Sequence, residues 1–183
     1  MKKDNWIIKA FLMTFFIALI FNTVTNIVIE NCNYIALIVF SILFIALGII
    51  FDIIGTAVLT AKESTFHAKS SKKIKGAKES INLIKNSNQI ASICNDVIGD
   101  ICGIVSGSVG AMLSIFISNT TGINIIYTTL FISSLISSLT VGGKAIGKKY
   151  AVTKSDIIIE KVGLLLSVFS KKETKLNKNR KGK

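Results

Sequence analysis

Apolar residues in this chain do not alternate with polar ones. They gather in long runs separated by short polar breaks, the pattern of membrane-crossing helices and not of half-buried strands. Four runs stand out, at residues 6–29, 34–61, 87–118 and 125–146. Each can cross a bilayer as a helix, because ~20 residues rising ~1.5 Å apiece match a hydrocarbon layer ~30 Å thick. A fifth apolar stretch, 155–170, is too short to span and is predicted to be a helix capped by Ser155 that lies along the inner interface. Residues 62–86, between the second and third runs, carry seven lysines with Glu63, Glu79 and His67. Within that segment Ile74, Ala77, Ile81 and Ile84 share a helical stripe opposite lysines, which predicts an amphipathic surface helix over 73–85. The lysine-rich tail, 171–183, has little to bury and is predicted to be disordered and drawn to anionic lipid. The expected fold is all-α, an integral membrane protein of four transmembrane helices with a juxtamembrane helical hairpin.

Composition strengthens this picture. The 183 residues are 50% hydrophobic, with mean hydropathy +0.60 and no proline to interrupt a helix. Lys and Arg number 22 against 10 Asp and Glu, a net charge of +12. Such a balance suits nucleic acid or an anionic membrane surface, and the placement of the charges decides between them. Every positive residue falls at or before Lys9, between Lys62 and Lys85, or from Lys144 onward, and none lies in the links 30–33 and 119–124. By the positive-inside rule both termini and segment 62–86 are expected in the cytoplasm, in a multi-pass protein of the plasma or inner membrane. The basic charge is therefore topological. Nucleic-acid binding is not supported, since no aromatic residues interleave the basic tail. The first run is read as a retained helix with Trp6 as its interfacial anchor, because Asn22-Thr23-Val24-Thr25-Asn26 offers no signal-peptidase site.

Little else in the chain suggests catalysis. Cys32, Cys94 and Cys102 form no CxxC pair and read as small buried hydrophobes. His67, alone among lysines, reads as a solvated side chain. No nucleophile-base arrangement, phosphate loop or metalloprotease motif is present, so an enzyme is not expected.

The informative residues are the polar ones inside the apolar runs. Asn95, Asp96 and Asp100 lie within 87–118, and Asp52 within 34–61. A carboxylate at the centre of a membrane helix costs about 2.5–3.5 kcal/mol on insertion scales, so each such residue marks a candidate site. Asp96 and Asp100 stand one turn apart, beside Gly99, Gly103 and Gly107, a spacing of small residues that lets another helix approach closely. Asp52 and Asp96 each lie about nine residues from the cytoplasmic end of their helices, roughly 13 Å deep. Carboxylate and amide oxygens at one level suit a hard cation such as Mg²⁺. The same residues also suit a hydrogen-bonded Asp–Asn cluster that fixes helix packing, and residue chemistry alone leaves both open. Ser133, Ser134, Ser137, Ser138 and Thr140 stud the fourth run, where they read as packing hydroxyls in preference to a pore lining.

Residues 50–169 resemble the transmembrane module of the CorB/CorC and cyclin M magnesium transporters. In that family a span ends in a pattern like F-x-S-x-S-E-T-A-L, a later span carries G-N-N-L-V-N, and the last ends in G-E-I-I-P-K. Phe51-Asp52-Ile53-Ile54-Gly55-Thr56-Ala57-Val58 resembles the first, Cys94-Asn95-Asp96-Val97-Ile98-Gly99 the second and Gly143-Lys144-Ala145-Ile146-Gly147-Lys148 the third. Between them, 77–93 follows the family's run from hairpin into span, and the apolar helix near 162–166 matches what comes after. The resemblance implies a module over 34–170 preceded by an extra helix in 1–33. It further implies a homodimer that carries Mg²⁺, with cobalt as a second ion, through a site on the cytoplasmic side. Carried over by position, Asp52 stands where a serine ligand is usual, Asn95 keeps its asparagine and Gly143 its glycine, with Asp96 and Asp100 adjoining. Ile54, Gly55, Lys144 and Gly147 depart from the family's serine, glutamate, glutamate and proline. The carboxylate at 52 strengthens a cation site, while the lysine at 144 opposes one. No CBS domain pair is present in the chain, so nucleotide sensing is not expected within it. The alternative is a degenerate module that moves nothing and associates with another membrane protein through the Gly99, Gly103 and Gly107 face.

Overall fold

The computed structural model describes residues 2–30 and 33–180, with side-chain surroundings for residue 8 and for 11–27 and 33–168. Among the described residues there is no strand, and the order is α1 (Lys2–Glu30), α2 (Tyr34–Thr60), α3 (Glu63–Ser71), α4 (Ala77–Lys85), α5 (Ser87–Ser92), a π-helical turn (Ile93–Ile98), α6 (Gly99–Thr121), α7 (Ile125–Thr153) and α8 (Ser155–Arg180). Three helical stretches among the described residues are long and apolar enough to cross a membrane: α2 with 27 residues, Ser87–Thr121 with 35, and α7 with 29. Within α1, a helix of 29 residues, the described apolar stretch is Phe11–Ile27. Cys32 and the side chain of Trp6 lie outside the described residues.

The helices divide into two compact units, Met1–Asp52 with Ile93–Gly147 and Ile53–Ser92 with Lys148–Lys183. In the first unit α2 and α6 run antiparallel, as the pairing of their buried residues shows. Leu37 clusters with Val109 and Leu113, Phe44 with Ile101 and Val105, and Gly48 faces Cys102, so numbers fall on one helix as they rise on the other. From α1, Met13, Ile17 and Phe21 pack on the Phe44 cluster, with the Phe21 and Phe44 rings edge to face at 5.8 Å. Cys94 and Cys102 are buried in this unit. Its outer surface carries large exposed apolar side chains, among them Phe11, Phe15, Leu130, Phe131 and Ile146. Water would not tolerate so continuous an apolar surface, whereas lipid does.

The second unit is built around Phe66, 0% exposed, with Ala57, Val58, Ala91, Ala151 and Ile159. Here α4 and α8 approach until backbones nearly touch. Gly163 makes this possible, since a Cβ there would meet Ser80 Oγ and lie 2.6 Å from the Gly76 carbonyl. The buried Ser80 hydroxyl donates to the Ile159 carbonyl at 3.1 Å, which fixes the contact. The Lys69 ammonium meets Glu160 at 2.8 Å, and Asp156 accepts from the Lys62 N–H at 3.0 Å and from Thr65 Oγ1 at 3.2 Å, so both carboxylates tie α8 to α3.

Three local expectations change. The amphipathic helix begins at Ala77 and not at residue 73, because Lys73 (φ 56°) and Gly76 (φ 82°) adopt left-handed backbone that breaks the winding. The hydroxyl of Ser155 caps nothing; the neighbouring Asp156 takes the interhelical bonds instead. The tail, expected to be disordered from 171, continues α8 through Arg180. Lysine is a good helix former, and no glycine interrupts the chain between Leu164 and Arg180.

Candidate functional site

Asp52, near the end of α2, is 2% exposed. The antiparallel pairing of α2 with the Ile93–Thr121 region sets what lies at its level. Gly48 is packed close enough that a Cβ would lie 3.1 Å from Cys102 Cβ and 3.5 Å from the Gly99 carbonyl oxygen. One turn onward from Gly48 is Asp52, and one turn back from Gly99 is Asn95, so the two occupy the same level of facing helices. Asn95 lies in the π-helical turn, and its Oδ1 is a buried oxygen with no hydrogen-bond partner among the described residues. Leaving such an oxygen unmet costs about 1–3 kcal/mol.

The other expected site residues are placed differently. Asp96 follows Asn95 in the same turn and is exposed. Asp100 is 69% exposed, and its Oδ1 lies 3.6 Å from Lys144 Nζ. That ammonium also approaches the Gly99 carbonyl at 3.5 Å, a long contact. Gly143 packs against Ile49 and lines an apolar cleft of about 500 Å³ with Ile45, Ala46 and Leu139. The structure thus brings Asp52 and Asn95 to one level, sets Asp100 against Lys144, and puts Gly143 on apolar surface. Among the described residues no group of three or more His, Cys, Asp or Glu is gathered in metal-binding fashion.

Two features of this region were not legible in the sequence. A π-helical turn widens the helix by one residue, and such turns occur often at functional sites. The only hint was a polar Asn95-Asp96 pair within an apolar run. Nor did the sequence mark Gly99 and Asp100 as the groups that Lys144, its side chain 20% exposed, lies against.

The glycine spacing divides too. Gly99 is closely approached, with Cys94 O and Lys144 Nζ at 3.3 and 3.4 Å from a built Cβ, whereas Gly103 and Gly107 face open space. They border a cleft of about 250 Å³ that also takes in Ser133 and Ser137. His67 is exposed and meets Glu63 at 3.1 Å, one turn away on α3. No protein-family model, curated protein or solved structure matches the chain.

Proposed function

We propose that this chain is a divalent-cation transporter-like membrane protein of the CorB/CorC and cyclin M type, with Mg²⁺ as its cargo. In this reading α1 makes a fourth crossing, the paired helices α3 and α4 lie at the cytoplasmic face, and both termini are cytoplasmic in a multi-pass plasma or inner membrane protein. The resemblance makes the working form a homodimer. The observation that carries the reading is the buried, unmet Oδ1 of Asn95, in a π-helical turn at the level of the buried Asp52. Both supply hard oxygen donors, and Mg²⁺ keeps several of its waters, so a few protein ligands suffice to hold it. Buried carboxylates are compensated by cations or hydrogen bonds, and a passing Mg²⁺ is one such partner for Asp52. Asp96 and Asp100 then stand outside the ligand shell as part of the approach. Lys144, beside the Gly99 carbonyl, keeps affinity modest, as release of a cargo ion requires.

The test is isothermal titration of Mg²⁺ into purified protein, paired with flux into liposomes. Asp52→Ala and Asn95→Ala are expected to lose binding and flux, and Asp100→Asn to retain both. Binding undiminished in Asp52→Ala removes the assignment.

A second reading rests on the open Gly103 and Gly107 and the exposed serines of α7 beside them. A non-transporting module would receive a helix of another membrane protein there, since small residues permit close approach. Gly103→Leu would then disrupt assembly, and Mg²⁺-dependent flux through wild-type liposomes would exclude the idea.

A further inference from the structure

We infer that the cleft at the start of α8 is a phosphate-binding site, suited to the headgroup of an anionic phospholipid. This cleft, about 440 Å³, is lined by Thr60, Lys62, Thr153, Lys154, Ser155 and Asp156 among others, within the ~300–1,000 Å³ range of small-ligand sites. Three independent features converge on it. The first is the opening turn of α8, a helix of 26 residues. Lys154 supplies the carbonyl that accepts from the Ile158 N–H at 3.0 Å, so the N–H groups of residues 155 to 157 precede the first intrahelical bond. Such a turn carries a partial positive charge and donors suited to an anion.

The second feature is Ser155. It is nine-tenths buried and lines the cleft, and its hydroxyl has no hydrogen-bond partner among the described residues. That hydroxyl is therefore free to donate to a phosphate oxygen in the cleft. The third is charge. Lys62 and Lys154 both line the cleft, and neither ammonium has a carboxylate partner among the described residues. Asp156 is the one acid present, and its two oxygens are engaged by the Lys62 N–H and Thr65 Oγ1. The balance at the cleft is therefore cationic.

The source of the phosphate follows from the chain. Thr60 closes α2 and Thr153 closes α7, two helices long and apolar enough to span a membrane. A cleft built from the ends of spanning helices belongs at headgroup depth, where anionic lipid is concentrated and each nearby lysine gains from the surface potential. Free phosphate presents the same chemistry to the same donors.

The experiment uses the full-length chain purified in detergent. Native mass spectrometry measures retention of phosphatidylglycerol against phosphatidylcholine, and equilibrium dialysis measures uptake of inorganic phosphate. Wild type is expected to prefer phosphatidylglycerol about tenfold or more, with the preference lost in Lys62→Gln/Lys154→Gln and weakened about five- to tenfold in Ser155→Ala. The control Lys78→Gln/Lys85→Gln removes two exposed lysines from α4 and should leave the preference intact. Ser155→Ala deletes only a hydroxyl, so its result stands even where the double variant is unstable. Phosphatidylglycerol retention without phosphate uptake assigns the lipid headgroup, and phosphate uptake that depends on Lys62 and Lys154 without lipid preference assigns the free ion. Equal retention of both probes in wild type and in Ser155→Ala, or equal loss in the control, overturns the site.

Discussion

Gly163→Ala separates steric fit from helix propensity within one substitution. On propensity alone alanine should stabilise the interior of α8 by ~1 kcal/mol. The structure opposes this, because the added methyl would run into Ser80 Oγ and stand 2.6 Å from the Gly76 carbonyl oxygen. The Ser80 side chain can rotate away only by giving up its bond to the Ile159 carbonyl, while the Gly76 oxygen belongs to backbone and can move only with α4. Overpacking of this kind costs ~1–3 kcal/mol, and a buried hydroxyl left unmet costs a further ~1–3 kcal/mol. After the propensity gain, a net destabilisation of ~1–5 kcal/mol remains. Hydrogen exchange of the α4 amides, Ala77–Lys85, reads this directly, since each ~1.4 kcal/mol of lost local stability speeds exchange about tenfold. Gly103→Ala is the control, for its methyl enters open space and should slow exchange in α6. Unchanged or stronger protection of α4 in Gly163→Ala would refute the close α4–α8 contact.

Phe66→Ala, which empties the fully buried centre of the second unit, is expected to cost ~3–5 kcal/mol and to expose α3 and α4 to limited proteolysis. Lys69→Met should cost no more than ~1 kcal/mol, because its partner Glu160 is one-third exposed, and that loss should shrink at high salt in thermal melts. Asp156→Ala removes the acceptor of both the Lys62 N–H and Thr65 Oγ1, and a loss of ~0.5–2 kcal/mol in melts of the full chain is the expected result. Asn95→Leu replaces an amide whose Oδ1 is buried and unmet with an apolar side chain, so it should raise thermal stability while abolishing Mg²⁺ binding; a drop in both would favour a purely structural role.

Hydropathy revealed the long helices because a run such as 34–60 has no other use for so many apolar residues, and the left-handed turn at Gly122 falls within the uncharged break expected there. The core positions of α6 were harder to read, since Ile101, Val105 and Val109 are buried while the equally apolar Ile104, Met112 and Ile115 are exposed. In a lipid-facing helix both sides are hydrophobic, so periodicity no longer marks the inside. What could not be read at all were contacts between distant segments. Asp156 with Lys62 and Lys69 with Glu160 each bridge more than ninety residues, and nothing in their local sequence marks the partner. At the candidate site, counting along each run set Asp52 and Asp96 at one level, and it is Asn95, the residue before Asp96, whose Oδ1 is buried there. That Asp100 would turn to Lys144 depended on which face of α6 met α7, and one extra residue in the π-helical turn sets that face.

That extra residue has a consequence for how this span tolerates changes of length. Removing one residue from an ordinary α-helix rotates everything beyond it by ~100°, and would swing Ile101, Val105 and Val109 out of the core. Within Ile93–Ile98 the same deletion would only tighten a wide turn to normal winding, leaving the later residues on their original azimuth. A single-residue deletion scan along Ser87–Thr121 should therefore find one short permissive window, surrounded by positions where loss of a residue abolishes folding.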